Sequence, residues 1–159
     1  MIIGIDNGLD GGIVAVSKHT GAVIEKTAMP TFHRLGKREV DSRMIYEWIT
    51  FLNTPFTIAI EEPLRHARSS QAMRSMALSF GKILGMAECR QWDIKCISVH
   101  KWQKEMLGRV PKGKTKDAAL TAATLLAPDE CWQKSKRASK PHDGMIDAYL
   151  IAHYLRKRL

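Results

Sequence analysis

The sequence predicts an α/β fold: a mixed five-stranded sheet, three antiparallel strands followed by two parallel ones, flanked by helices. Three observations carry this reading. The first 28 residues hold three short apolar segments joined by tight turns, the pattern of an antiparallel meander. Two later apolar segments are separated from it and from each other by stretches long enough for helical crossovers, which parallel strands require. The remaining long segments place their apolar residues three and four apart, as amphipathic helices do.

The first strand is Met1 to Asp6, where three Ile residues and a Gly lead abruptly into a carboxylate. An acid at the end of a buried strand sits at the rim of a core, where desolvation disfavours an unpaired charge. Asp6 therefore either caps a turn or shares a cation with other donors. Asn7-Gly8 and Gly11-Gly12 provide turn chemistry, and strands follow at Gly12–Ser17 and Ala22–Ala28. Thr31 to Val40 reads as a polar, basic loop. Asp41-Ser42 offers an N-cap to a helix bearing Met44, Ile45, Trp48, Ile49 and Leu52. Phe56 to Pro63 repeats the opening logic, an apolar strand ending in Glu61-Glu62 and then Pro. The longest helix is expected over 68–91, with an apolar stripe of Met73, Met76, Ala77, Phe80, Leu84 and Ala87. Gly81 and Gly85, one turn apart, leave room for a second helix. A fifth strand at 93–99 precedes a short helix at 100–107 and an Ala-rich helix at 115–126. A last helix spans about 142–158.

A chain of 159 residues fits one domain, residues 1–159, with a core that needs no staples. Lys and Arg number 25 against 16 Asp and Glu, a formal charge of +9, which favours a polyanionic partner. No run of eighteen apolar residues is present, so no membrane-spanning helix is expected. Three scattered cysteines without CxxC spacing read as reduced thiols. With no signal-peptide pattern ahead of the first strand, the expected location is cytoplasmic.

Two strands that run parallel as neighbours would bring Asp6 and Glu61 out at one rim. The last helix adds Asp143 and Asp147, four residues apart and on one face. Like charges gathered this way are costly unless cations intervene. Four hard oxygen donors without a thiolate or imidazole cluster suit Mg²⁺, with Mn²⁺ as a substitute, rather than zinc. Two such ions about 4 Å apart clamp the attacking and leaving oxygens of a phosphodiester. Acidic ligands in a basic protein fit metal-dependent cleavage of nucleic acid.

The segments Gly4-Ile5-Asp6-Asn7-Gly8-Leu9, Ala59-Ile60-Glu61 and Asp147-Ala148-Tyr149-Leu150-Ile151-Ala152 resemble the RuvC-type Holliday junction resolvases in their phage-like form, which belong to the ribonuclease H-like superfamily. The resemblance runs over nearly the whole chain, with the elements in the same order. It implies a ribonuclease H-like sheet and metal ligation by Asp6, Glu61 and Asp147, with an acid one turn before Asp147 as the fourth ligand. It implies a homodimer packed through the long helix around Met73–Ala87, resolving a four-way DNA junction by paired symmetric nicks. Lys116 resembles the family's basic residue near the scissile phosphate, and Lys104 is a looser match to another. The Pro63-Leu64 segment corresponds to the family's contact with bases at the junction centre. One position departs from the pattern. The family's last two acids are usually three apart, which falls here on Gly144; the adjacent Asp143 is the candidate substitute, with His142 as its rival.

Lys101, Lys104, Arg109, Lys112, Lys114 and Lys116 face only Glu105 across their segment, an imbalance that favours phosphate contacts over an ordinary solvated loop. Arg65, His66, Arg68 and Arg74 extend basic character around Glu61, and Lys134, Lys136, Arg137 and Lys140 form a second basic stretch. Strand alternation turns Glu62 away from Glu61. Asp143 alone also reads as an acid favouring a helix N-terminus. Methionines of the long helix and the four tryptophans read first as packing residues, with one Trp available to stack on an unpaired base. Three other functions compete. Flap or RNA–DNA hybrid cleavage would use the same site. A sugar kinase or ATPase would use the Gly4–Gly8 hairpin for phosphate but leave Glu61 unexplained. A non-catalytic DNA-binding module would gain nothing from four carboxylates.

Overall fold

A computed structural model of the chain describes residues 1–63 and 69–159. Its strands are β1 (Ile2–Asp6), β2 (Gly12–Val16), β3 (Val23–Ala28), β4 (Thr31–Arg34), β5 (Lys37–Val40), β6 (Thr57–Glu61) and β7 (Ile94–Ile97). Its helices are α1 (Ser42–Phe51), α2 (Ser70–Cys89), α3 (Val99–Leu107), α4 (Thr115–Leu126) and α5 (Asp143–Arg156). The main sheet has the order β3-β2-β1-β6-β7. Its first three strands pair antiparallel, and β1, β6 and β7 run parallel. This is the mixed ribonuclease H-like sheet expected from the sequence.

Alternation along the central strands divides the core into two layers. Ile3 and Ile5 of β1, with Ile58 and Ile60 of β6, pack under α1 and α2 against Ile45, Ile49 and Ile83. Ile2 and Ala59 face the opposite way, toward α3, α4 and α5, where Trp102, Ala123, Ile146, Tyr149 and Leu150 fill the second layer. α5 lies directly on β1 and β2. The contact is close because β1 carries Gly4: a Cβ there would stand 1.9 Å from the Ala148 carbonyl oxygen. All nine apolar or aromatic residues from Met145 to Leu155 are buried, together with Gly144 and His153, on a helix apolar nearly all round, as a helix sunk between layers must be.

Asp41 caps α1 as expected, its side chain accepting from the Arg43 and Met44 amides at 3.1 Å. Two expectations need correction. The segment Thr31–Val40 is a two-stranded hairpin, β4 paired antiparallel with β5, because Thr31, Phe32 and Val40 supply β-favouring residues either side of a two-residue Leu35-Gly36 turn. The long helix is anchored by Ser79, Ile83 and Ala87, not by the full Met73–Ala87 stripe; Met73 is 38% exposed. It starts at Ser70 with Ser69 as its cap, and the expected start at Arg68 lies outside the described residues. A Cβ at Gly81 or Gly85 would meet nothing within 4 Å. Among the described residues, no helix is long and apolar enough to cross a membrane.

Candidate active site

Strand alternation and helix placement together build one acidic rim. Asp6 shares its face of β1 with Gly4, the residue against which α5 packs. β6 runs parallel to β1 with Ile60 opposite Ile5, so the next residues, Asp6 and Glu61, end the two strands side by side. Ala59 belongs to the α5-side layer, and Glu61, two residues on, faces the same way. Glu62 points out to solvent. Asp147 lies one residue before Ala148, whose carbonyl abuts Gly4, so α5 brings its acid to the same place. The three carboxylates come from three elements that only the tertiary fold joins.

Their electrostatics report the crowding. Burial lifts Asp6 to about 6 against the pull of the Gly8 amide, with the Asp10 charge raising it further; that amide donates to Asp6 Oδ1 at 3.0 Å. Burial and the Asp6 charge lift Glu61 to about 8, opposed by a hydrogen bond from Trp102 and reinforced by Asp147. Asp147 rises to about 7 through burial, then the Asp6 and Asp143 charges, with Lys116 pulling the other way. Each acid feels another, and among the described residues no cation relieves all three.

Two supporting residues escape a reading of the sequence. Trp102, fully buried on α3, donates from Nε1 to Glu61 Oε2 at 2.7 Å. A tryptophan on an amphipathic helix signals packing, and only its position behind β6 reveals the polar task. Asn7, 2% exposed, donates from Nδ2 to the Glu61 carbonyl at 2.6 Å. It ties the ends of β1 and β6 together, although Asn-Gly in sequence signals only a turn.

The fourth acid differs in setting. Asp143 is exposed and forms an ion pair with Lys116, which holds the lysine charged. A small pocket lined by Thr115, Lys116, Ala119, Asp143, Ile146 and Asp147 opens between α4 and α5. His142 is the N-cap of α5; its Nδ1 accepts from the Met145 amide at 3.3 Å, so that nitrogen is committed to the helix end. Gly144 explains the shifted acid. A Cβ at 144 would lie 2.4 Å from Gly11 Cα and 2.5 Å from the Asp10 carbonyl oxygen, so a side chain there has no room.

The donor chemistry fits a hard divalent cation: desolvated carboxylates that repel one another, with the Trp102 indole N–H holding one oxygen of Glu61. Among the described residues, no three His, Cys, Asp or Glu side chains already surround a common point. Asp143 is turned to Lys116, and ligation by the set requires that side chain to swing inward and the Asp6, Glu61 and Asp147 carboxylates to draw closer together.

Of the expected basic residues, Lys116 stands beside this rim, against Asp143 and in the pocket with Asp147. Lys101 and Lys104 lie on α3, Arg109, Lys112 and Lys114 on the loop that follows, and Lys116 on the first turn of α4, all exposed. Lys114 pairs with Asp117 at 3.2 Å, and Arg158 takes Glu105. Among the described residues, Lys101, Lys104, Arg109 and Lys112 have no carboxylate partner. Leu64, Arg65, His66 and Arg68 lie outside the described residues. The tryptophans pack as expected: Trp132 against Tyr149 at 4.8 Å and Trp92 between Tyr46 and Phe56.

No family model matches the sequence, and no curated protein matches it. Solved structures do match its fold. The RuvC of Thermus thermophilus in complex with a Holliday junction substrate superposes with a TM-score of 0.59 at 16% identity, covering 99% of this chain and 95% of that one. A second structure of Thermus thermophilus RuvC gives 0.59 at 18% identity with the same coverage. Over its full length, this chain has the ribonuclease H-like fold that RuvC has.

Proposed function

We propose that this chain is a divalent-metal-dependent endodeoxyribonuclease, a single domain over 1–159, that resolves four-way DNA junctions by paired nicks. The observation that carries the reading is the convergence of Asp6, Glu61 and Asp147 at one desolvated rim, with the exposed Lys116 beside it. Support also comes from the fold shared with a RuvC bound to a Holliday junction.

In this reading Asp6, Glu61 and Asp147 hold Mg²⁺, with Asp143 completing the set. When bound, the ions supply Lewis acidity toward the phosphate and a deprotonated water at neutral pH. The chain's own residues do the rest. Trp102 fixes the Glu61 carboxylate, and Asn7 fixes the spacing of the two strand ends. Lys116, released as Asp143 turns inward, neutralises the scissile phosphate. Lys101, Lys104, Arg109, Lys112 and Lys114 hold the flanking backbone, with Arg65, Arg68 and Leu64 as further contacts beyond Glu61. Paired nicking requires two copies, and the open Gly81/Gly85 face of α2 suits the homodimer.

The test is a panel of labelled four-way, three-way, flap, linear and RNA–DNA hybrid substrates incubated with Mg²⁺. Symmetric paired nicks confined to the four-way junction are expected, abolished by Asp6→Asn with junction binding retained. Preferential cutting of flaps or hybrids would reassign the substrate. Binding without cutting of any substrate would reduce the protein to a DNA-binding module.

A further inference from the structure

The β4–β5 hairpin breaks two local rules at one residue. Leu35, first residue of the two-residue turn, has φ +48° and is followed by Gly36 at φ +74°. Both positions demand the left-handed region that Asn-Gly or Asp-Gly ordinarily fills. Leu35 is also 96% exposed, so the strained backbone presents an aliphatic side chain wholly to water. Local preferences broken twice without a gain inside the fold mark a functional position.

The hairpin beneath that tip is braced. At its base the Asp41 amide donates to the Pro30 carbonyl at 2.9 Å, and Val40 is sunk in the core. On one side the Arg38 guanidinium bonds both the Leu9 carbonyl and the Asp10 carboxylate, in the turn that follows Asp6. On the other, Lys82 of α2 reaches Glu39 at 2.6 Å and the Val40 carbonyl at 3.2 Å and lies 5.3 Å over the Phe32 ring. The hairpin is thus bolted to the rim that carries Asp6. Its tip pairs Arg34 with Lys37, and His33 with Arg38, across the two strands. The exposed Arg34 guanidinium rests over the Phe32 ring and 3.9 Å from Glu39, and turns outward from there to meet a phosphate.

We infer that this hairpin is a DNA wedge: Leu35 enters an opened base step beside the strand to be cut, while Arg34 and Lys37 straddle it against the two flanking phosphates. The inference rests on the nuclease reading above. An aliphatic side chain framed by cations matches DNA, which alternates apolar base faces with phosphates, and apolar wedges of this kind unstack and kink it. Steps at a branch point are the cheapest to open, because one stacking neighbour is already displaced.

The experiment uses the full chain carrying Asp6→Asn, bound to a four-way junction with 2-aminopurine at each position around the crossover. Bright fluorescence at one step on binding is expected, and Leu35→Asn should abolish it while weakening junction binding by about fivefold. Leu35→Asn should fold at least as well, because Asn tolerates positive φ, and Leu35→Phe should keep the unstacking. Equal unstacking by the Asn variant overturns the wedge. So does loss of self-association on Leu35→Asn, which assigns the tip to a second copy of the chain. Sedimentation of the protein with phosphatidylserine vesicles, lost in the Asn variant while DNA unstacking is unchanged, assigns it to lipid and overturns the wedge. Wild-type protein that cuts the junction with Mg²⁺ while the Asn variant unstacks normally removes the wedge alone. Wild-type protein that neither binds nor cuts DNA removes the nuclease reading and the wedge together.

Discussion

At the residue scale the site turns on Glu61, which is pushed hardest toward its neutral form, to about 8. Trp102 opposes that push by donating to Oε2. Trp102→Phe keeps an aromatic ring in the core, with some loss of volume, and removes the donor. Its expected effect is a rise of about tenfold in the Mg²⁺ concentration needed for half-maximal nicking, read from a metal titration, with the folded state retained.

The same crowding makes stability depend on pH. Asp6, Glu61 and Asp147 all have native pKa values above their unfolded ones, near 4. The folded state therefore binds more protons than the unfolded chain between about pH 4 and pH 8, and stability falls as pH rises through that window. Below the unfolded values the penalty is absent; above the native ones it is complete. Without metal, Asp6→Asn removes one of the interacting charges. Its melting temperature, relative to wild type, should rise by a few degrees at pH 8 and hardly differ at pH 4. An advantage of the same size at both pH values would contradict the coupling. Asp6 and Glu61 were legible in the sequence because an apolar run ending in an acid is conspicuous, and Asp147 through its spacing from Asp143 on one helix face and the motif it opens. Trp102 and Asn7 were not, since their polar bonds join groups 41 and 54 residues apart.

At the scale of elements, the geometry of the site is the packing of α5 on β1. Strands β1, β2, β3, β6 and β7 could be read from apolar runs and turn residues, and α1, α3, α4 and α5 from their periodicity. The β4–β5 hairpin could not, because its charged residues mask the alternation and its turn is Leu35-Gly36 in place of a familiar turn pair. Nor did the sequence explain the missing acid at 144. The helix start sits against Gly11 and Asp10 so tightly that only glycine fits. Gly144→Asp, which restores the spacing usual in the resembling family, should therefore destabilise by about 3 kcal/mol rather than improve catalysis. Urea denaturation checks this. A stable, more active variant would show that the helix start can shift.

At the scale of the whole molecule, α2 presents a face that nothing among the described residues covers. Gly81 and Gly85 are open, and Leu78 is 47% exposed. Gly81→Arg should raise the stability of one isolated copy by about 1 kcal/mol, since glycine is a poor helix residue. In sedimentation velocity the same variant should lose the dimer, and with it paired nicking, leaving single nicks. A dimer unaffected by Gly81→Arg would place the two-fold elsewhere. The formal charge of +9 acts at this scale too: junction binding should weaken steeply with added salt.

The central claim is that Asp6, Glu61 and Asp147 gather around divalent metal. Crystals soaked in Mn²⁺ and measured at the manganese edge test it directly. The expected result is anomalous density ligated by all three carboxylates, with Asp143 drawn away from Lys116. Manganese bound elsewhere in a protein that still cuts DNA, and none at this rim, would contradict it.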